Sequence, residues 1–315
     1  MATASPVKPT ATAAPAGAQA AKPPAASSTA GKPVTPPFKI ESVQSRQRHL
    51  KFLVYGDYGV GKTFLLGTAA DVPQMRDVLF INAEAGDLTF DIDEHNFGSI
   101  DTIRVRDYKM LGKVHEYLKL HCSLRERDDE AAVNRLIELE AMLKDVPEAS
   151  IKEPRRYQTV ILDSLTEIEQ YCMYQLLGIT DATKLDEETA TAEWAEYKRQ
   201  HSMVQRLIRN FRDLPMNILM TCARSYVQDE SKRMVYSPQM TGKLSNQVQG
   251  FMDLVGYYVI GQINEADGTF ARRLHVQPTG RFSAKCRFSR YKKPYFDNPT
   301  MKSILSQVGL LNEAK

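Results

Sequence analysis

The sequence predicts an α/β fold: a mostly parallel central sheet flanked by helices, with an antiparallel hairpin near the C-terminus and a disordered N-terminal tail. Three observations lead to it. The apolar run 49–55 (HLKFLVY) stops at a cluster of glycines, and a helical pattern, 63–70, follows at once. Further apolar runs of strand length then alternate with segments of helical spacing, the order that a parallel sheet needs for its crossovers. One of those runs, 157–163 (YQTVILD), is almost continuously apolar, as expected at the centre of a sheet covered on both faces.

Residues 1–37 contain 12 Ala and 8 Pro, no acid, and only Lys8, Lys22 and Lys32 as charges. Such a stretch cannot bury enough apolar area to offset its chain entropy, so it reads as a flexible tail. Residues 38–315 then form one domain. The chain has 41 Lys and Arg against 38 Asp and Glu, and three of the lysines lie in the tail, so the remainder carries no net charge. A nucleic-acid site in it must therefore be a local patch or pore.

Strands are expected at 78–82 (VLFIN), 100–105 (IDTIRV), 157–163 and 217–221 (NILMT), with helices at 108–120, 164–177 and 193–211. Residues 123–154 are highly charged, helical in pattern over 131–144, and read as an insertion at one edge. Segment 224–249 is polar and mixed. Runs 254–261 and 270–276, separated by Asp267-Gly268, read as the antiparallel hairpin.

No apolar run reaches the roughly 18 residues of a membrane span, the tail lacks the apolar stretch of a secretory signal, and its lack of arginine fits a transit peptide poorly. Cys122, Cys172, Cys222 and Cys286 are far apart, which suggests neither a zinc site nor a disulfide framework. A soluble, cytoplasmic protein is expected.

The chemistry starts at Gly56-Asp57-Tyr58-Gly59-Val60-Gly61-Lys62-Thr63. In the G-x-x-x-x-G-K-[ST] spacing, glycines let backbone N–H groups turn inward around phosphates at a helix N-terminus. Lys62 would reach the β- and γ-phosphates and the Thr63 hydroxyl a magnesium ion, which makes ATP and Mg2+ the expected ligands. Asp163 ends a central strand beside this loop, where a carboxylate holds the metal, although an Asp there can instead cap the next helix. Glu84 follows the 78–82 strand and could orient and deprotonate an attacking water, or it is a surface acid beside Asp87, Asp91, Asp93 and Glu94.

Residues 80–84 (FINAE) and 160–164 (VILDS) resemble the catalytic-glutamate and metal-binding strands of RecA-type ATPases. Over about 51–287 the chain is similar to small phage-encoded RecA-like ATPases, nucleotide-binding AAA-domain proteins of single-strand annealing and recombination. Two further pieces carry the resemblance: Pro238-Gln239-Met240-Thr241-Gly242-Lys243 before an amphipathic helix, and a K-x-R pair, Lys285 and Arg287, with Cys286 where an acid is usual.

The resemblance implies a RecA-like P-loop NTPase core and self-association as a ring or filament with ATP between subunits. Lys285 and Arg287 would then act as a finger on a neighbour's phosphate, unless they belong to a solvated basic cluster with Arg290, Lys292 and Lys293. It also implies a polar sensor after the 217–221 strand, for which Thr221 and Arg224 are the candidates. The following loop, 225–243, carries Lys232, Arg233 and Lys243 with Tyr226 and Tyr236, a composition that can track single-stranded DNA without reading its sequence. The expected function is ATP hydrolysis coupled to single-stranded DNA in recombination, annealing or replication, with a single-strand-binding or replication protein as a further partner. A helicase or translocase motor and a nucleotide-gated assembly protein are the alternatives.

Overall fold

A computed structural model describes residues 49–228, 232–264 and 269–311; the Ala/Pro-rich tail and Asp267-Gly268 lie outside them. The strands are β1 (Lys51–Gly56), β2 (Val78–Asn82), β3 (Asp101–Arg104), β4 (Thr159–Asp163), β5 (Asn217–Gln228), β6 (Met234–Pro238), β7 (Leu254–Asn264), β8 (Thr269–His275), β9 (Lys285–Cys286) and β10 (Tyr295–Asp297). The α-helices are α1 (Lys62–Gly67), α2 (Tyr108–Arg127), α3 (Glu130–Lys144), α4 (Leu165–Leu176), α5 (Trp194–Arg212), α6 (Leu244–Phe251) and α7 (Met301–Val308).

The sheet runs β10-β8-β7-β1-β5-β4-β2-β3, parallel from β7 to β3, with β8 and β10 antiparallel at the far edge. Every residue of β2 and β4 is buried, the reason their sequences read as unbroken apolar runs. Period-two alternation sends β1 to two cores. Leu53 and Tyr55 pack with residues of α2, α4, α5 and α6, while Phe52 and Val54 pack with residues of α1 and α7.

Three segments depart from the sequence reading. Helix α2 runs on through Arg127, so residue 123 is inside a helix, and α3 folds back on it through Leu124, Ala132, Leu136 and Leu139. Asp129 starts α3 by accepting from the Ala132 N–H at 2.7 Å. The polar segment 224–249 is not a loop: β5 leaves the parallel sheet at Arg224 and pairs with β6 as an antiparallel ribbon, and α6 follows. Its alternation was hidden because a two-stranded ribbon with exposed faces needs few apolar residues. The C-terminal β9, β10 and α7 are short elements, and α7 is anchored by Met301, Ile304 and Leu305 in the second core.

Candidate functional site: a phosphate-binding loop and its carboxylates

Strand β1 ends at a glycine for a steric reason: a Cβ on Gly56 would sit 2.3 Å from the Tyr258 carbonyl oxygen of β7. Gly59 and Gly61 have φ of 74° and 93°, in the left-handed region that L side chains avoid. Lys62 is buried, and its ammonium donates to the carbonyls of Asp57 at 2.7 Å and Gly56 at 3.2 Å. Burial lowers its pKa, and the negative charges of Glu84 and Asp163 oppose that shift. A cation thus lies inside the loop, held by carbonyls that an arriving phosphate can replace.

Strand β4 is not next to β1, since β5 lies between them. The two ends still meet at the carboxyl edge of the sheet. The Thr63 hydroxyl donates to Asp163 Oδ2 at 2.6 Å, and the Thr221 hydroxyl of β5 donates to Oδ1. Asp163 is 2 % exposed, and the residue that caps α4 is its neighbour Ser164, which accepts from the Glu167 N–H. The carboxylate is therefore oriented by Thr63 and Thr221 and not spent as a cap. Among the described residues no three His, Cys, Asp or Glu side chains gather as a metal site. One carboxylate beside one hydroxyl suits Mg2+, which takes few protein oxygens and completes its shell with phosphate and water.

Glu84 follows β2, its N–H directed to the Asp163 carbonyl at 3.2 Å. The residue as a whole is exposed, but its carboxyl is partly withdrawn from water beside Ser164, Asp163 and Lys62. Loss of water raises its pKa above the ordinary 4.5; a hydrogen bond from Ser164 opposes this, Asp163 adds to it and Lys62 counters it. Asp87, in contrast, is tied to Asn82 Nδ2 at 3.2 Å. Glu84 shares an electrostatic environment with Lys62 and Asp163, as a base near a γ-phosphate must.

Residues 48–288 match the family model described as AAA domain. The chain belongs to this family. It is an AAA-domain protein with a P-loop between β1 and α1 of a mostly parallel sheet. A search of curated proteins finds no match. Among solved structures, the chain is similar to a KaiC-like protein from the hyperthermophilic archaeon Pyrococcus horikoshii OT3, with 13 % identity over 78 % of this chain and 83 % of that one, TM-score 0.39. It is also similar to a DnaB-like replicative helicase, 11 % identity over 80 % and 56 %, TM-score 0.38, and to the RadB recombinase, 13 % over 71 % and 78 %, TM-score 0.32.

The other sequence candidates of this AAA-domain protein fall in three places. Arg224 belongs to the phosphate loop: its Nε donates to Asp57, and its guanidinium lies over Tyr236 at 4.5 Å and Tyr226 at 5.3 Å. It is therefore tied to the phosphate loop at the start of the β5–β6 ribbon. Lys232 and Arg233 are exposed at the turn of the β5–β6 ribbon, and Lys243 is exposed at the start of α6.

Lys285 and Arg287 lie toward the other end of the sheet. Lys285 pairs with Val255, which is level with Leu53, three residues and about 10 Å of strand before Gly56. The two side chains do converge, on the carboxyl end of α6. Lys285 Nζ donates to the carbonyls of Gln249 at 2.9 Å and Gly250 at 3.1 Å, and Arg287 donates to Gly250 at 3.0 Å and to Asp253 Oδ1 at 3.1 Å. Cations suit the carbonyl end of a helix.

Arg272 was not anticipated. From β8 its Nε donates to the Val60 carbonyl at 3.1 Å, and its own N–H is fixed by Asn298 Oδ1 at 2.8 Å. In a trans peptide the C=O and N–H point oppositely. A cation holding the Val60 oxygen therefore turns the Gly61 N–H the other way, as an anion donor. Only tertiary structure brings β8 there, and no spacing in the sequence signals it.

Proposed function

We propose that this protein hydrolyses ATP with magnesium and couples the hydrolysis to single-stranded DNA, in recombination, annealing or replication, as a self-associated ring or filament. The observation that carries the ATPase part is the connection Thr63–Asp163–Thr221 beside a buried Lys62, all at one edge of the sheet. Phosphates entering the loop take the place of the Asp57 and Gly56 carbonyls at the Lys62 ammonium, and the backbone N–H groups of residues 59–63 face them. Thr63 and Asp163 are the residues to hold Mg2+, which would neutralise charge on the phosphates. Glu84 accepts the proton of the attacking water. Lys285 and Arg287 cannot serve their own loop from the far end of β7, so they would serve a neighbour's, leaving the α6 carbonyls to do so.

The DNA part is supported by the ribbon. It starts at the Asp57–Arg224 pair and ends in exposed Lys232 and Arg233, with half-exposed Tyr226 on the way, so a change at the phosphate loop has a short path to a cationic surface. The resemblance to phage-encoded RecA-like ATPases supports the same reading, and with it the host-cell cytoplasm as the setting. Phosphate release with and without single-stranded DNA tests it. Stimulation is expected, together with DNA binding that needs ATP and weakens steeply with salt. ATP binding with negligible turnover, with or without DNA, would replace the motor reading with that of a nucleotide-gated assembly protein.

A further inference from the structure

A polar cleft of about 430 Å³ opens at the base of the ribbon, between α4, α5 and the turn after β6. Two of its lining groups are buried hydrogen-bond acceptors. Glu169 is 7 % exposed, and its carboxylate accepts from the Thr241 N–H, at 3.0 and 3.1 Å to its two oxygens, and from the Thr241 side chain. No lysine or arginine among the described residues pairs with it, and burial raises its pKa. Gln200, 3 % exposed, is fixed by its Nε2, which donates to the Glu169 carbonyl at 2.8 Å; its Oε1 has no partner among the described residues. A buried amide oxygen without a donor is costly, and a buried carboxylate held by Thr241 with His201 as its nearest cation keeps free lone pairs, so one donor-bearing ligand can serve both.

The walls and the rim say what kind of ligand. Met173, Met240 and the partly exposed ring of Tyr197 give flat, polarisable walls that suit a planar group. Exposed Lys198 follows the lining residue Tyr197, and exposed Lys243 lies two residues beyond Thr241. An acceptor floor under a cationic rim repels a basic peptide and attracts a polyanion that carries N–H donors.

We propose that this cleft receives one base of single-stranded DNA, a base with an exocyclic amino group whose N–H donors face Glu169 and Gln200 while the phosphodiester follows the cationic rim. The proposal rests on the DNA reading above. Carboxylates accept from the cytosine amino group in established base contacts, and thymine has no amino group and turns carbonyls toward the acid. The ribbon supplies binding without sequence preference, and the cleft adds a preference at one nucleotide.

The test uses the full chain with ATP and magnesium and equal-length oligo(dC), oligo(dA) and oligo(dT). The one tryptophan, Trp194, is exposed a single turn from Tyr197, so its fluorescence reports occupancy. The expected result is oligo(dC) and oligo(dA) binding about tenfold tighter than oligo(dT), the ratio that a good base contact supplies. Glu169→Gln should remove that preference. Tyr197→Ala, at a partly exposed position that does not threaten folding, should weaken every oligonucleotide by about fivefold or more through lost stacking. Failure of all three oligonucleotides to bind overturns the DNA reading itself. Equal binding of all three, unchanged by Glu169→Gln, overturns the cleft alone. Quenching of Trp194 by an oligoarginine peptide, lost in Glu169→Gln, would make the occupant a basic protein segment and overturn the nucleobase assignment.

Discussion

Two cationic groups stand toward opposite ends of the β1–β7 pair, and they differ in what completes them. Lys62 is buried, surrounded by loop carbonyls and two carboxylates of its own chain, and its place is set by consecutive residues of one turn. Lys285 and Arg287 come from a two-residue edge strand, and Arg287 is half-exposed in spite of its bonds to α6 and Asp253. The first group can bind a phosphate within one chain. The second acquires a phosphate only if another chain brings one. Salt bridges at such exposure contribute about 0–1 kcal/mol, so releasing Arg287 from Asp253 costs little.

The sharpest way to break that contrast is Lys62→Ala, which is expected to abolish ATP binding or turnover; wild-type phosphate release from the variant would end the central assignment. Next is Arg287→Ala, expected to slow hydrolysis about a thousandfold, as loss of other arginine fingers does, with ATP affinity changed less. Mixing it with Lys62→Ala protein should recover activity that neither has alone, because a mixed interface can pair one chain's intact loop with the other's intact finger. Activity no greater than the parental average would leave Arg287 as a cap on α6. Glu84→Gln should keep ATP bound while slowing hydrolysis about a hundredfold.

The same glutamate sets a pH dependence. A base must be ionised, and burial holds the Glu84 pKa above 4.5, so the rate should be present at high pH and be lost as pH falls through that raised value. A pH profile of Glu84→Gln that keeps the acid limb would assign the limb to another group. The smallest effect is expected for Arg272→Gln. It should weaken ATP, ADP and tripolyphosphate alike, by about tenfold, if the residue acts by aiming the Gly61 N–H. A loss confined to ATP would mean direct contact with the γ-phosphate instead.

The phosphate loop, the alternation of strands and helices and the carboxylate at the end of β4 were legible because each depends on neighbours in sequence: glycines with positive φ, a period of two or 3.6, a strand buried on both faces. Glu84 was a candidate from its place after the 78–82 strand, and family resemblance added the Lys285/Arg287 pair. It could not say where that pair would sit. Tertiary structure alone decided that β5 separates β1 from β4, that Arg224 turns back onto Asp57, and that Arg272 reaches the loop from β8. It also decided that a polar stretch becomes a ribbon and a helix, with an acceptor-lined cleft at their base. The reason is physical: local periodicity reports which face of an element is buried, whereas contacts between residues as far apart as Val60 and Arg272 depend on strand order, which that periodicity does not encode.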